Sequence, residues 1–501
     1  MLLSRTTGSA WLANALHLGL LSIGANGQDC DHRSFQKISD PNGSVLWGRT
    51  LALDGPYAIV GDPLDSDIAT SAGAFYLYEK IGGVYTEIQK VAPPSLEDFD
   101  LLGGAAAIDG DRCIASAMGD DNYRGRVYVF QRNAGGTLDH LQALVASDRD
   151  PTAFYGLSLD IDGEVIVVGA YRRNGTGSAY VYRWDGAAFQ EEAILEPSGL
   201  TVGDDLGWSC AVAGDRIVLG APSSDLFLPD GGAAYVYEYE QGSWVLEQEL
   251  PPFGAFVGEG SGFGSTVAME AEWIVVGAPN QVVQGGGDGG AAYVFRWTGA
   301  DPDPWIGFQE IRSPEGAKNT NFGNAVGLED HRLVVGAPGW DSPDLVDAGA
   351  IHSYRFTGDE FRYAERLIGV DSMKYLGKVV AMGGRVVVGE QDPPNTVSFY
   401  KVPDLVLDFP DHTVPLGGVA EFWSTGGVPG TLSLTYLLFV DNIPVVYRAF
   451  ASNYQASGGW ITTLTIPNDP ALANLELGLE VFGFRYDGKL TVSNLENLTL
   501  Q

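Results

Sequence analysis

Apolar and polar residues along this chain recur in one order: a short alternating run, a tight turn, a valine-rich run, a loop rich in small residues, and an aromatic strand. The cleanest copies read FGSTVAMEAEWIVVGAP from Phe263 and FGNAVGLEDHRLVVGAP from Phe322. Loops then lead into runs such as GAAYVYEY (Gly232 to Tyr239) and GAAYVFRW (Gly290 to Trp297). Alternation and β-branched runs bounded by Gly, Asn and Asp predict strands. The matching glycines are Gly48, Gly103, Gly156, Gly207, Gly264, Gly323 and Gly377, a period of 51 to 59 residues. Several short strands within such a period mean a radial or stacked array.

In the unit from Phe263, strands are predicted at Thr266 to Met269, Ile274 to Gly277, Ala291 to Trp297 and Trp305 to Ile311. Four antiparallel strands repeated about an axis form a propeller blade, whereas β-helices and leucine-rich solenoids have shorter periods. The fourth strand is echoed at Val84 (VYTEIQK), Leu138 (LDHLQAL), Phe189 (FQEEAIL), Trp244 (WVLEQEL) and Phe361 (FRYAERL). The last repeat stops at its third strand, TVSFYKV (Thr396 to Val402), while SFQKI (Ser34 to Ile38) stands before Trp47-Gly48. The expectation is an all-β chain whose residues 28–402 form a seven-bladed β-propeller closed by an N-terminal strand. Such closure removes open sheet edges. Alternating runs and turn signals such as Asp487-Gly488 predict a small C-terminal β-sandwich over 403–501.

Residues 1–27 read as a cleaved secretory signal: one Arg, an apolar run from about Trp11 to Ile23, and small residues at Ala25 and Gly27. A secreted or cell-surface protein without a membrane span is therefore expected. The chain has 501 residues and a formal charge of −35, which disfavours nucleic acid and anionic membranes as partners and favours a soluble monomer. Its three cysteines, Cys30, Cys113 and Cys210, are too few for a disulfide framework.

The repeats resemble FG-GAP repeats, the units of the integrin alpha-chain propeller and of many bacterial extracellular proteins. Phe263-Gly264 and Phe322-Gly323 supply the first motif, and Gly220-Ala-Pro222, Gly277-Ala-Pro279 and Gly336-Ala-Pro338 the second. Trp47-Gly48 with Gly61-Asp-Pro63, Tyr155-Gly156 with Gly169-Ala-Tyr171, Leu206-Gly207, and Leu376-Gly377 with Gly389 are degenerate copies, and Ser116 replaces the second glycine of the second repeat. The resemblance implies a propeller; calcium-holding members carry a D-x-D-x-D-G loop between strands one and two. Here the interval between the two motif glycines is 13 residues in six repeats and 12 in the seventh, which leaves a tight hairpin and no room for a loop wrapped round an ion. The family's calcium sites do not carry over, and no cofactor is required.

The irregular loops are more informative. Up-and-down topology places the loops after strand two and the connections after strand four on one face. Those segments carry Asp62, Asp65, Asp67, Asp341, Asp344 and Asp347, a candidate calcium set if neighbouring loops pool ligands. They also carry Asp120, Asp121, Asp204, Asp205, Asp225, Asp230 and Asp288, a candidate ligand face, with Arg172 and Arg173 as local counter-charges. Asp is also an ordinary turn former, so an alternative is that these residues only build loops. Catalytic signatures such as HExxH, a nucleophile elbow or a P-loop are absent. The favoured expectation is a non-catalytic extracellular binding or adhesion protein, contacting a protein or a surface through the acidic loop face. The alternatives are a lectin-like propeller using Trp208, Trp340 and Tyr123, or an enzyme acting on polysaccharide.

Overall fold

The computed structural model describes residues 36–401 apart from short segments at 40–43, 45, 255–257, 283–288, 301, 315–318, 342–344, 370–374, 384–385 and 392–395; beyond 401 it describes strand segments alone. Six four-stranded antiparallel sheets are each continuous in sequence: residues 51–91 (blade 1), 102–144 (blade 2), 159–195 (blade 3), 209–250 (blade 4), 266–311 (blade 5) and 326–368 (blade 6). A further four-stranded sheet is composite, ordered Gln36–Ser39, Thr396–Lys401, Val386–Gln391, Val380–Gly383. Gln36 stands opposite Phe399 and Ser39 opposite Thr396. First strands of successive sheets lie side by side, and Val380–Gly383 touches both Val326–Glu329 of blade 6 and Leu51–Asp54 of blade 1. The fold is an all-β β-propeller. Six blades are continuous in sequence, against the seven expected, and the composite sheet joins the N-terminal strand to the last repeat.

Blade 3 shows why these residues form these strands. Leu159–Asp162 pairs with Val165–Ala170 through the two-residue turn at Gly163 and Glu164. Gly163 sits at φ 55°, the positive φ that a tight hairpin asks of its first turn residue. Val165–Ala170 is buried at every position because neighbouring sheets cover both its faces, which is why it reads as a continuous apolar run. In all six continuous blades the register slips at one place between strands three and four, as at Val181/Tyr182 and Val236/Tyr237. Such a bulge adds local twist to the outer part of a sheet.

The core is distributed among the seams. One apolar cluster joins blades 2 and 3 through Val127, Val129, Tyr155, Ile166 and Tyr180, and comparable clusters occupy each other boundary. Both boundaries of the composite sheet are filled as well, by Trp47, Tyr76, Tyr85 and Phe399 on one side and Ile351, Leu367 and Tyr400 on the other. Beyond 401 the strands pair into a three-stranded and a six-stranded sheet. The packing expected to make a sandwich of them lies outside the described residues, as does the expected leader at 1–27. Among the described residues no helix is long and apolar enough to cross a membrane.

Candidate binding face

Loops between strands two and three and connections into the next blade emerge together at one end of the ring, opposite the two-residue hairpins. The acidic residues there do several different things. In blade 1, Asp62 and Asp65 are buried and Asp67 is exposed. Lys90 reaches across from strand four, its Nζ 2.6 Å from Asp65 Oδ2 and 2.5 Å from Asp67 Oδ2. Partial burial would lower the Lys90 pKa, but hydrogen bonds and the charges of Asp65 and Asp67 outweigh it and hold it above the ordinary lysine value. The cation expected among these carboxylates is therefore supplied by the chain itself. Asp341 Oδ1 accepts from the backbone N–H of Asp347 at 2.6 Å, as a turn-forming Asp does. Asp344 and Asp288 lie outside the described residues. Of the expected calcium set, Asp65 and Asp67 are thus engaged by Lys90, Asp341 and Asp347 by a turn, and Asp62 by the Ser44 hydroxyl, and among the described residues no three His, Cys, Asp or Glu converge to hold a metal.

Blades 2 and 3 repeat the compensation. Asp120 is buried against Arg126 at 2.9 Å, and Asp121 is held by Arg124 at 3.2 Å and by Arg149. Arg173 joins Asp148 at 2.7 Å and Glu196 at 2.6 Å, and Tyr180 Oη donates to Asp148 at 2.6 Å. Burial alone would raise the Asp148 pKa, yet these donors keep it below the usual carboxylate value. The loops about blade 4 differ. Asp204 is buried and accepts from the backbone N–H and hydroxyl of Thr201 at 2.9 and 2.7 Å. Asp225 accepts from the Asp230 N–H at 2.7 Å, and both are exposed. Burial raises the pKa of Asp205, an effect moderated by Arg172.

The three aromatic candidates also separate. Trp340 is 4% exposed, roofed by the Arg366 guanidinium 4.1 Å above its ring, so it belongs to the seam and not to the ligand face. Tyr123 and Trp208 are 45% and 40% exposed. They are joined by two rings that the sequence reading left out. Tyr123 contacts Phe154 at 5.5 Å, Phe154 contacts Tyr171 at 5.4 Å, and Tyr171 meets Trp208 edge-on at 5.1 Å.

A profile of the FG-GAP repeat family matches residues 139–182, 189–237 and 257–295. The first two spans run from strand four of one blade to strand three of the next, so the sequence repeat is offset by one strand from the structural blade. The chain carries FG-GAP repeats. Among solved structures it is similar to a candidate 6-phosphogluconolactonase from Bacteroides uniformis, at 11% identity over 65% of this chain and 86% of that one, with a TM-score of 0.43. It is also similar to the β-propeller domain of the Trilobed protease from Pyrococcus furiosus, at 9% identity over 76% and 95%, with a TM-score of 0.39. Likenesses this distant say nothing of its activity.

The two FG-GAP glycines interlock neighbouring blades. A Cβ on Gly169, Gly220 or Gly277 would lie 2.1 Å from the carbonyl oxygen of Gly207, Gly264 or Gly323 in the next blade. Only a bare α-carbon permits that approach. Hydroxyls then seal the junction, Ser158, Ser209 and Thr266 donating to those same carbonyls at 2.9, 2.8 and 3.0 Å. At the outer strands the ring has a second device. Gln36, Gln89, Gln142, Gln248 and Gln309 each clamp one residue of the next fourth strand, accepting its N–H and donating to its C=O. For Gln142 on Phe189 both bonds are 2.8 Å. These glutamines stood in the strand-four echoes in plain sight, marked by their shared place in SFQKI, EIQK, LQAL, EQEL and FQEI.

Proposed function

We propose that this FG-GAP repeat protein is an exported, non-catalytic binding protein that engages an extracellular protein or glycan through its loop face, with the composite sheet as the seventh blade. The observation that carries the reading is where the repeats agree and where they differ. Interlocking glycines, seam hydroxyls and glutamine clamps recur from blade to blade, while side chains of individual character are gathered on the loops of one end. A rigid scaffold with variable loops is the usual arrangement of a binding protein. The non-catalytic reading is supported by Asp160, whose carboxyl burial pushes up to about 7. Its two oxygens accept the amides of Val212 and Ile161, both at 2.9 Å, and so are engaged by the scaffold. Export is supported by the leader pattern, and N-terminal sequencing of the secreted protein should begin at Gln28.

The test is a pair of variants assayed on immobilised extracellular proteins and a glycan panel. One combines Asp121→Asn, Asp225→Asn and Trp208→Ala on the loop face, and the other combines Asp215→Asn and Trp297→Ala at the opposite end. Loss of binding in the first alone is expected. Loss confined to the second places the ligand elsewhere and ends this reading.

A further inference from the structure

The ring path from Tyr123 to Trp208 is built at four positions where other repeats carry something else. Two residues before the glycine that opens strand three, the chain turns left-handed. Tyr123 (φ 66°) occupies that place in blade 2, where blades 1, 3, 4 and 6 have Ser71, Gly175, Asp230 and Asp347. Two residues before the FG glycine lies a second left-handed place, held by Phe154 (φ 52°) and elsewhere by Leu101, Asp205, Gly262, Asn321 and Tyr375. Only at the boundary of blades 2 and 3 do rings fill both places, and there they touch. Tyr171 stands where Pro63, Pro222, Pro279 and Pro338 stand in other repeats, and Trp208 where Arg49, Ser265, Asn324 and Lys378 stand. A left-handed backbone costs a side-chain-bearing residue about 1 kcal/mol, and such strain gathers at functional sites. Gly or Asp would fold these turns with less strain, so the rings are maintained against a local preference.

The surroundings indicate what the path holds. Asp121 lies between Arg124 and Arg149, and the Arg172 guanidinium lies 5.3 Å from the Tyr171 ring centroid. Asp121 and Asp205 beside the rings each have a positive neighbour, so this strip is less negative than a chain of net charge −35 is as a whole. A polyanion would be repelled by the whole molecule. A protein partner covering the strip would have to desolvate these ion pairs, which is costly. A sugar chain asks for neither. Its C–H faces pack on exposed rings, and its hydroxyls both donate to carboxylates and accept from guanidinium and amide groups bordering them. The geometry points to a binding track for a neutral polysaccharide running across Tyr123, Phe154, Tyr171 and Trp208. This assignment rests on the reading of the loop face as the binding face and narrows its ligand.

The experiment is an array of neutral oligosaccharides (glucans, mannans, xylans, galactans) beside anionic uronans, probed with purified protein and with Trp208→Ala, Phe154→Gly and Trp297→Ala. Phe154→Gly suits the left-handed backbone and should fold normally, checked by its melting temperature. Binding to a neutral glycan is expected, weakened at least tenfold by Trp208→Ala and by Phe154→Gly and unchanged by Trp297→Ala. Absence of any neutral-glycan binding, binding of uronans alone, or binding that survives both track variants overturns the assignment. If an extracellular protein is bound instead and Trp208→Ala abolishes it, the loop face stands and the glycan falls. If glycan binding depends on Trp297 and not on Trp208, the loop face falls with it.

Discussion

The seams between blades and the loop strip over blades 2 to 4 use the same residue types to opposite ends. In the seams, glycines allow backbones to touch: Gly220 would bring a Cβ to 2.1 Å from the Gly264 carbonyl. On the strip, left-handed positions that glycine would fill with least strain hold Tyr123 and Phe154. Rings in the seams are buried, as Trp47, Trp273 and Trp305 are, whereas Trp208 on the strip is 40% exposed. At these positions the seam residues suit the space and backbone they occupy, and those of the strip do not. That contrast separates the part of the repeat that makes the ring from the part free to acquire a ligand.

The seam side of the contrast should yield the largest effect. Gly220 does not need a positive φ, so Gly220→Ala tests the close approach alone. Its Cβ meets backbone that cannot swing away, and overpacking of this kind should cost about 3 kcal/mol. Gly242→Ala, where a Cβ would meet nothing within 4 Å, should cost about 1 kcal/mol from its φ of 89°. Equal melting temperatures for the two variants would mean that the interlock is not what the FG-GAP glycines are for.

The glutamine clamps should come next. Gln36→Ala strips partners from both the N–H and the C=O of Tyr85, where the bonds are each 2.6 Å, and should cost about 2 kcal/mol. Gln142→Ala should cost a similar amount through Phe189. Only Gln36→Ala should also speed proteolysis at the N-terminus, because Gln36–Ser39 is tied to the ring by Thr396–Lys401 and this clamp. Should both variants melt with the exposed Gln190→Ala control, the clamps contribute nothing.

What the sequence disclosed follows the same division. The seams were legible because their chemistry admits few residues: only glycine allows the 2.1 Å approach, and only apolar runs suit strands such as Val165–Ala170, buried on both faces. The loops were not, because Asp builds turns, forms ion pairs and binds ligands equally well. Nothing near Asp65 in the sequence announces Lys90, and Asp120 and Asp204 look like their exposed neighbours until burial separates them. The aromatic path draws on three different blades and the connections between them, so no local pattern contains it. Its trace was a set of departures from the repeat, which become meaningful only once the ring sets those positions side by side.

The smallest effect, and one that crosses the division, concerns Asp160. Four residues after the FG glycine the other repeats have Ala52, Ala107, Ala211, Ala268, Gly327 and Ala381, small enough for the inner strands to close on one another. Blade 3 places a carboxyl there, facing the Val212 amide of blade 4. Burial pushes it up to about 7, the amides of Val212 and Ile161 oppose the rise, and the charges of Asp162 and Asp109 add to it. An acid whose folded pKa lies above its unfolded value favours the native state most when protonated. Its contribution should therefore decline as pH rises from about 4, where the unfolded carboxyl ionises, to about 7, where the folded one does. The loss should be about 1–2 kcal/mol for this partly buried group, and flat beyond pH 8. Denaturant melts of the parent and of Asp160→Ala at pH 5 and pH 8 should show the variant gaining on the parent at the higher pH. A difference that is the same at both values would mean that Asp160 is ionised throughout, held as a carboxylate by its two amides, and that the seam between blades 3 and 4 tolerates a fixed charge.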